Sequence, residues 1–256
     1  MRAFSFFLAF TLAFGAAGAA AAAPVGPEMA RIPGGRYVPL FVNGPGSMRV
    51  APFALDRRPV TRGEYLAFVR ARPAWRRDRV RRAFAGPGYL AGWPAADSAG
   101  TARELRLPAT AVSWFGAKAY CAWRGKRLPT TDEWEFAALA SETARDAARE
   151  PGFVARLLAL YTSRRPRPVG STFRNVYGVW DLHGLAWEWT LDFNSLLISD
   201  DSRGTSARDH ALFCAAGVIG ATDANNYPAF LRYGFRAALE GRTTTDGLGF
   251  RCAQDL

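Results

Sequence analysis

Cys214 follows His210 by four residues, so on an extended chain both side chains face the same side. A thiolate and an imidazole on one face suit a copper ion by ligand type. The same thiol, the odd one of three cysteines, also reads as a reactive nucleophile or an intermolecular link. Flanked by Phe213 and two alanines, it has the further reading of a small buried hydrophobe. A second group of chemistry-bearing residues is Asp181-Leu-His-Gly-Leu-Ala-Trp-Glu-Trp-Thr190. Glu188 stands between two tryptophans, and a carboxylate among aromatics must find a cation or several donors, because burying it unpaired is costly. Asp181 is the other carboxylate of this run. His183 between them is expected to make structural hydrogen bonds, with metal binding behind that. Arg232 and Arg236 are pocket candidates: they are open to an anion, to an ion pair with Asp223, or to plain surface positions.

The elements that must carry these groups show clear start signals. Thr61-Arg-Gly-Glu64 and Thr130-Thr-Asp-Glu133 are capping boxes, in which hydroxyl and carboxylate satisfy orphan amides at a helix start. Behind them Tyr65, Phe68 and Val69, and then Trp134, Ala137 and Ala138, fall at helical spacing. Ser113 caps a third helix with Trp114, Ala117, Lys118, Cys121 and Ala122 along one stripe, and Gly125 ends it in a left-handed turn. Residues 142 to 163 have a helical stripe of Phe153, Val154, Leu157, Leu158 and Tyr161. Strands are expected from Met29 to a turn at Pro33-Gly34-Gly35, and from Met48 to Asp56. Beyond Arg164 the chain reads as turn-rich, with short strands at best.

Residues 1 to 23 carry one arginine, an apolar stretch from Phe4 to Phe14 and an alanine run ending in an Ala-x-Ala pattern. This is the pattern of a secretory signal peptide, since the bulky apolar stretch is too short for a membrane span. An exported chain, in a bacterial periplasm, is the expectation, and not an integral membrane protein. Residues 24 to 256 show neither an internal repeat nor a Ser/Gly linker, which favours one domain. With 16 prolines, 25 glycines and 13% aromatic residues, that domain should hold many loops by aromatic packing. The net charge is +11 and almost wholly arginine, with a cluster at Arg70, Arg72, Arg76, Arg77, Arg79, Arg81 and Arg82. Export argues against nucleic acid as the partner. A solvated basic face is expected there, or contact with an acidic partner or an anionic membrane surface.

Five ordered motifs carry a wider likeness: Pro-Val-Thr-x-x-x-Tyr-x-x-Phe (Pro59 to Phe68), Leu-Pro-x-x-x-Val-Ser-Trp (Leu107 to Trp114), Gly-Lys-Arg-Leu-Pro-Thr (Gly125 to Thr130), His-Gly-x-x-Trp-Glu-Trp-Thr (His183 to Thr190) and Gly-Phe-Arg-Cys (Gly249 to Cys252). In order and spacing the chain resembles the formylglycine-generating, or sulfatase-modifying factor, family over nearly its whole mature length. The resemblance implies an α+β fold, a single mixed domain with little regular secondary structure, akin to C-type lectins. It implies a disulfide between Cys121 and Cys252. It also implies a calcium ion held by Asp181, Glu188 and the carbonyls of Gly184 and Ala186, an all-oxygen set that suits a hard cation.

The family's enzymes oxidise a sulfatase cysteine using copper held by two thiolates on a strand upstream of Gly-Phe-Arg-Cys. The matching positions here are Asp223 and Pro228, or Asn226 and Leu231, and none is cysteine. The Phe213-Cys-Ala-Ala-Gly217 stretch and the segment from Tyr227 to Arg236 resemble an exported branch found beside copper nitrite reductases, and more loosely a branch acting in siderophore maturation. The expected function is that of an accessory or maturation factor for a periplasmic metalloenzyme, acting on a client protein or small ligand and not forming formylglycine. The rivals are an oxidoreductase using Cys214, with or without copper, and a lectin-like ligand-binding module.

Overall fold

The computed structural model describes residues 25–41, 46–163, 166–194, 223 and 226–256. Three strands form an antiparallel sheet in the order β1 (Met29–Ile32), β4 (Phe53–Asp56), β7 (Ala253–Asp255). Met29 pairs with Asp56 and Leu55 with Ala253, so the sheet ties the start of the domain to its end. Strands β2 (Gly35–Tyr37) and β3 (Met48–Val50) make a separate antiparallel pair, and β5 (Trp187–Glu188) lies parallel to β6 (Leu248–Gly249). The single strand expected over Met48 to Asp56 is therefore two, broken at Ala51-Pro52, where proline has no N–H to give a ladder. All four residues of β4 are buried. A central strand covered on both faces does not alternate.

Five helices are described: α1 (Arg62–Ala71), α2 (Trp114–Trp123), α3 (Thr131–Ala138), α4 (Pro151–Thr162) and α5 (Tyr227–Ala237). Both capping boxes form, with the Thr61 and Thr130 hydroxyls accepting from the amides of Glu64 and Glu133. Ser113 caps α2, and Gly125 beyond it takes φ +69°, a conformation that costs glycine nothing. The stripe over residues 142 to 163 becomes helical only at Pro151, whose missing N–H and fixed φ suit a first turn. Helix α5 corrects the expectation of short strands at best after Arg164. Asn226 caps it, Pro228 lies in its first turn, and Ala229, Arg232, Tyr233 and Arg236 share its buried side.

One aromatic core packs Tyr65 and Phe68 of α1 against Tyr120 of α2 and Phe250, with Trp189 buried beside them. Tyr65 and Tyr89 share a 2.7 Å hydrogen bond at its edge and Trp189 Nε1 donates to the Val112 carbonyl, while the buried Trp93 Nε1 has no partner among the described residues. A second core sets Trp134 and Phe136 of α3 on the sheet residues Ile32, Phe53 and Leu55. Cys121 of α2 and Cys252, just before β7, form a disulfide that closes a loop spanning 131 residues. The chain-entropy treatment puts such a link at about 5 kcal/mol. No helix among the described residues is long and apolar enough to cross a membrane. The arginine cluster is mostly exposed, but Arg77 is an anchor that donates to the carbonyls of Leu90 and Trp93.

Candidate functional site

Helix α5 contains Pro228 and Leu231, one position from each of the two pairs at which the family resemblance seeks its thiolates, and its buried side is ionic. Arg232 and Arg236, one turn apart and each 4% exposed, converge on Glu135 of α3. Arg232 donates from Nε to Oε1 at 2.9 Å and from Nη2 to Oε2 at 2.6 Å, and Arg236 donates from Nη1 to Oε1 at 2.5 Å. The Trp134 ring lies beneath both guanidinium groups, 5.7 and 4.7 Å from its centroid, which adds a cation–π contribution in a desolvated place. Burial alone would raise the Glu135 carboxyl; the charges of Arg232 and then Arg236 outweigh it and hold the group down at about 2. These arginines are thus neither surface residues nor an open anion site, and the partner that fixes them is Glu135. No periodic signal marks Glu135, because nearly all of α3 is buried.

The cluster continues through a directed hydrogen-bond chain. Arg232 Nη1 donates to the Tyr161 hydroxyl at 3.1 Å, Tyr161 pairs with His183 Nδ1 at 2.8 Å, and His183 Nε2 lies 2.9 Å from the Ala138 carbonyl. A carbonyl only accepts, so Nε2 carries the proton, Nδ1 accepts, and Tyr161 donates. Burial, and then the Arg232 charge, press the His183 imidazole down to about 3. It is neutral at physiological pH and makes structural hydrogen bonds, as its sequence position predicts. Tyr161, read from sequence as one more apolar position of a helical stripe, is the polar link between α4 and α5.

Glu188 accepts three hydrogen bonds. Arg251 reaches it from Nε at 2.7 Å and Nη2 at 2.8 Å, and Trp134 Nε1 donates at 2.7 Å. Both side chains of the Glu188–Arg251 pair have no solvent exposure. Arg251 spends its remaining donors on the carbonyls of Asp56 and Trp180. The need for a cation beside Glu188 is therefore met by an arginine from the Gly-Phe-Arg-Cys motif. Asp181, at φ +59°, accepts from the amides of Gly170 and Thr172 and from the Thr172 hydroxyl. It is fully buried and has no ion-pair partner among the described residues. The Gly184 carbonyl accepts from Arg167.

The donor set fits calcium in type. All the expected ligands are oxygen and Asp181 has no ion-pair partner among the described residues, while Glu188 already faces the Arg251 guanidinium and the Gly184 carbonyl that of Arg167. No group of three or more His, Cys, Asp or Glu side chains converges among the described residues, so an ion would draw on the carbonyls of Gly184 and Ala186. The family's paired-thiolate copper site does not fit. Among the described residues the cysteines are those of the disulfide, Asn226 is a helix cap, and Pro228 lies in the first turn of α5. Cys214 and His210 lie outside the described residues.

The chain is similar to known proteins over most of its length. The family model described as "Sulfatase-modifying factor enzyme 1-like domain" matches residues 15–256. A mouse protein named inactive C-alpha-formylglycine-generating enzyme 2 is 31% identical over 274 residues, spanning 89% of this chain and 85% of its own. A Streptomyces coelicolor formylglycine-generating enzyme is 27% identical over 305 residues, spanning 95% of this chain and 97% of its own. Among solved structures, that of PvdO from Pseudomonas aeruginosa is similar with a TM-score of 0.51 over 90% of this chain and 95% of that one. At 23% identity that likeness is one of fold alone.

Proposed function

The chain belongs to the sulfatase-modifying factor family, and from that premise we propose that it is an exported member that does not make formylglycine and acts as an accessory or maturation factor for a periplasmic metalloenzyme. One observation carries the reading. The positions at which family resemblance places two copper thiolates lie before or in the first turns of a helix whose buried arginines are locked onto Glu135, and none of them is cysteine. A guanidinium-rich, thiol-free element repels Cu(I) and offers it no soft ligand. The 31% identity to a relative named inactive supports the same side. The leading segment and a disulfide suited to an oxidising compartment support export.

Calcium is part of the proposal, with Asp181 as its anionic anchor and Glu188 shared between the ion and Arg251. Loss of oxidase chemistry is tested by incubating the mature, copper-loaded protein with a Cys-x-Pro-x-Arg peptide, oxygen and thiol reductant. No aldehyde is expected by mass spectrometry, whereas turnover that disappears in Cys214→Ser would replace this reading with an oxidase. The accessory role is tested in the host cell. Deleting the gene should lower the metal content of a periplasmic metalloenzyme in fractionated extracts, and an unchanged metal profile overturns it.

A further inference from the structure

A cavity of about 380 Å³ opens between the lead-in to β1, the β4–α1 connection and the end of α2, and none of its lining residues has a disulfide, calcium or copper role by the family resemblance. Its walls hold four cationic side chains, and their pairing is uneven. Lys126 is neutralised, at 2.7 Å from Asp56 and 3.0 Å from Glu28. Arg57 spends its guanidinium on the carbonyls of Pro27 and Gly178, which fix its place and leave its charge unbalanced. Arg58 and Arg124 are exposed. No carboxylate among the described residues pairs with Arg57, Arg58 or Arg124. The remaining acid of the wall, Glu64, is folded back onto the Thr61 amide and hydroxyl as part of the α1 cap. With Glu28, Asp56 and Glu64 set against Arg57, Arg58, Arg124 and Lys126, the wall of the cavity carries one net positive charge. Between these groups lie Tyr120 and Trp180.

From this we infer a binding site for a small organic anion, with its acidic group at Arg58 and Arg124 and its apolar body against Tyr120 and Trp180. Convergent like charges in a concave wall repel one another and concentrate a counter-charge. The volume lies within the range of small-molecule sites, which combine apolar walls with a few fixed polar groups. Arginine retains its charge across the working pH range, so the ligand's own ionisation governs binding. The inference is independent of the accessory reading and of the calcium proposal.

The probe is 2-naphthoate, titrated by calorimetry into the mature protein beside its neutral isostere 2-naphthamide. Saturable binding of the acid is expected, with the amide at least about tenfold weaker, ~1.4 kcal/mol. The Arg58→Gln/Arg124→Gln double variant should lose a similar factor. Arg72→Gln/Arg79→Gln, which removes the same charge from the exposed arginine cluster, should bind as the parent does. Absence of saturable binding into the millimolar range, equal affinity for the amide, or an equal loss in the Arg72→Gln/Arg79→Gln control overturns the site.

Discussion

Replacing Glu135 by Gln removes the one carboxylate shared by two buried arginines, and the structure allows its consequence to be worked in two ways. Breaking a buried pair and leaving charge behind costs about 3–5 kcal/mol. Independently, the Glu135 carboxyl is held at about 2 against an ordinary value of 4.5, and that difference corresponds to ~3 kcal/mol of stability by linkage. Because the folded value is the lower one, the contribution is fully present above pH 4.5 and disappears as pH falls from there towards about 2. The assay is urea unfolding with the disulfide intact, at neutral pH and through the acid range. With a urea slope of roughly 2–3 kcal/mol per molar, the Glu135→Gln midpoint should drop by ~1–2 M with the slope unchanged. The parent should also lose its advantage over the variant on acidification. A neutral-pH loss below ~1 kcal/mol, or parallel acid curves for the two proteins, would refute the argument that Glu135 is the ionised anchor of α5.

Three further outcomes are expected. Non-reducing peptide mapping should find Cys121 joined to Cys252 and Cys214 alkylatable; Cys214 in an intramolecular bond would contradict the observed pairing. Calcium added to chelated protein should raise its melting temperature by mass action, and Asp181→Asn should abolish the rise. Each variant is compared with its own chelated baseline, because Asp181→Asn sets an amide NH2 against the donors of Gly170 or Thr172, and Glu188→Gln breaks the buried pair with Arg251. Of the two histidines, His183 should show no NMR titration between pH 8 and pH 5, since burial holds it at about 3. A His183 midpoint near the ordinary value would mean that its environment is wet. Its folded value is also depressed, so it adds stability that is present above 6.5 and is lost as pH falls towards about 3.

Local signals in the sequence hold where their physics is local. Two capping boxes, a serine cap and a left-handed glycine each depend on a few neighbouring residues, and each forms where the sequence places it. Five spaced motifs were enough for the family and for the mixed α/β fold with few regular elements. That Asp223, Asn226, Pro228 and Leu231 are not cysteines is a fact of sequence, and the proposal of lost paired-thiolate chemistry starts from it. What sequence could not supply was partnership across the chain. The carboxylate that holds Arg232 and Arg236 comes from Glu135, about a hundred residues earlier. The cation that answers Glu188 is Arg251, 63 residues later. Charge pairing inside a core is set by which elements meet, and neither spacing nor residue type encodes that meeting. The same reason hid helix α5 behind a turn-rich reading: its stability comes from burying one arginine-bearing side against α3 and α4, and only the packed structure provides those surfaces.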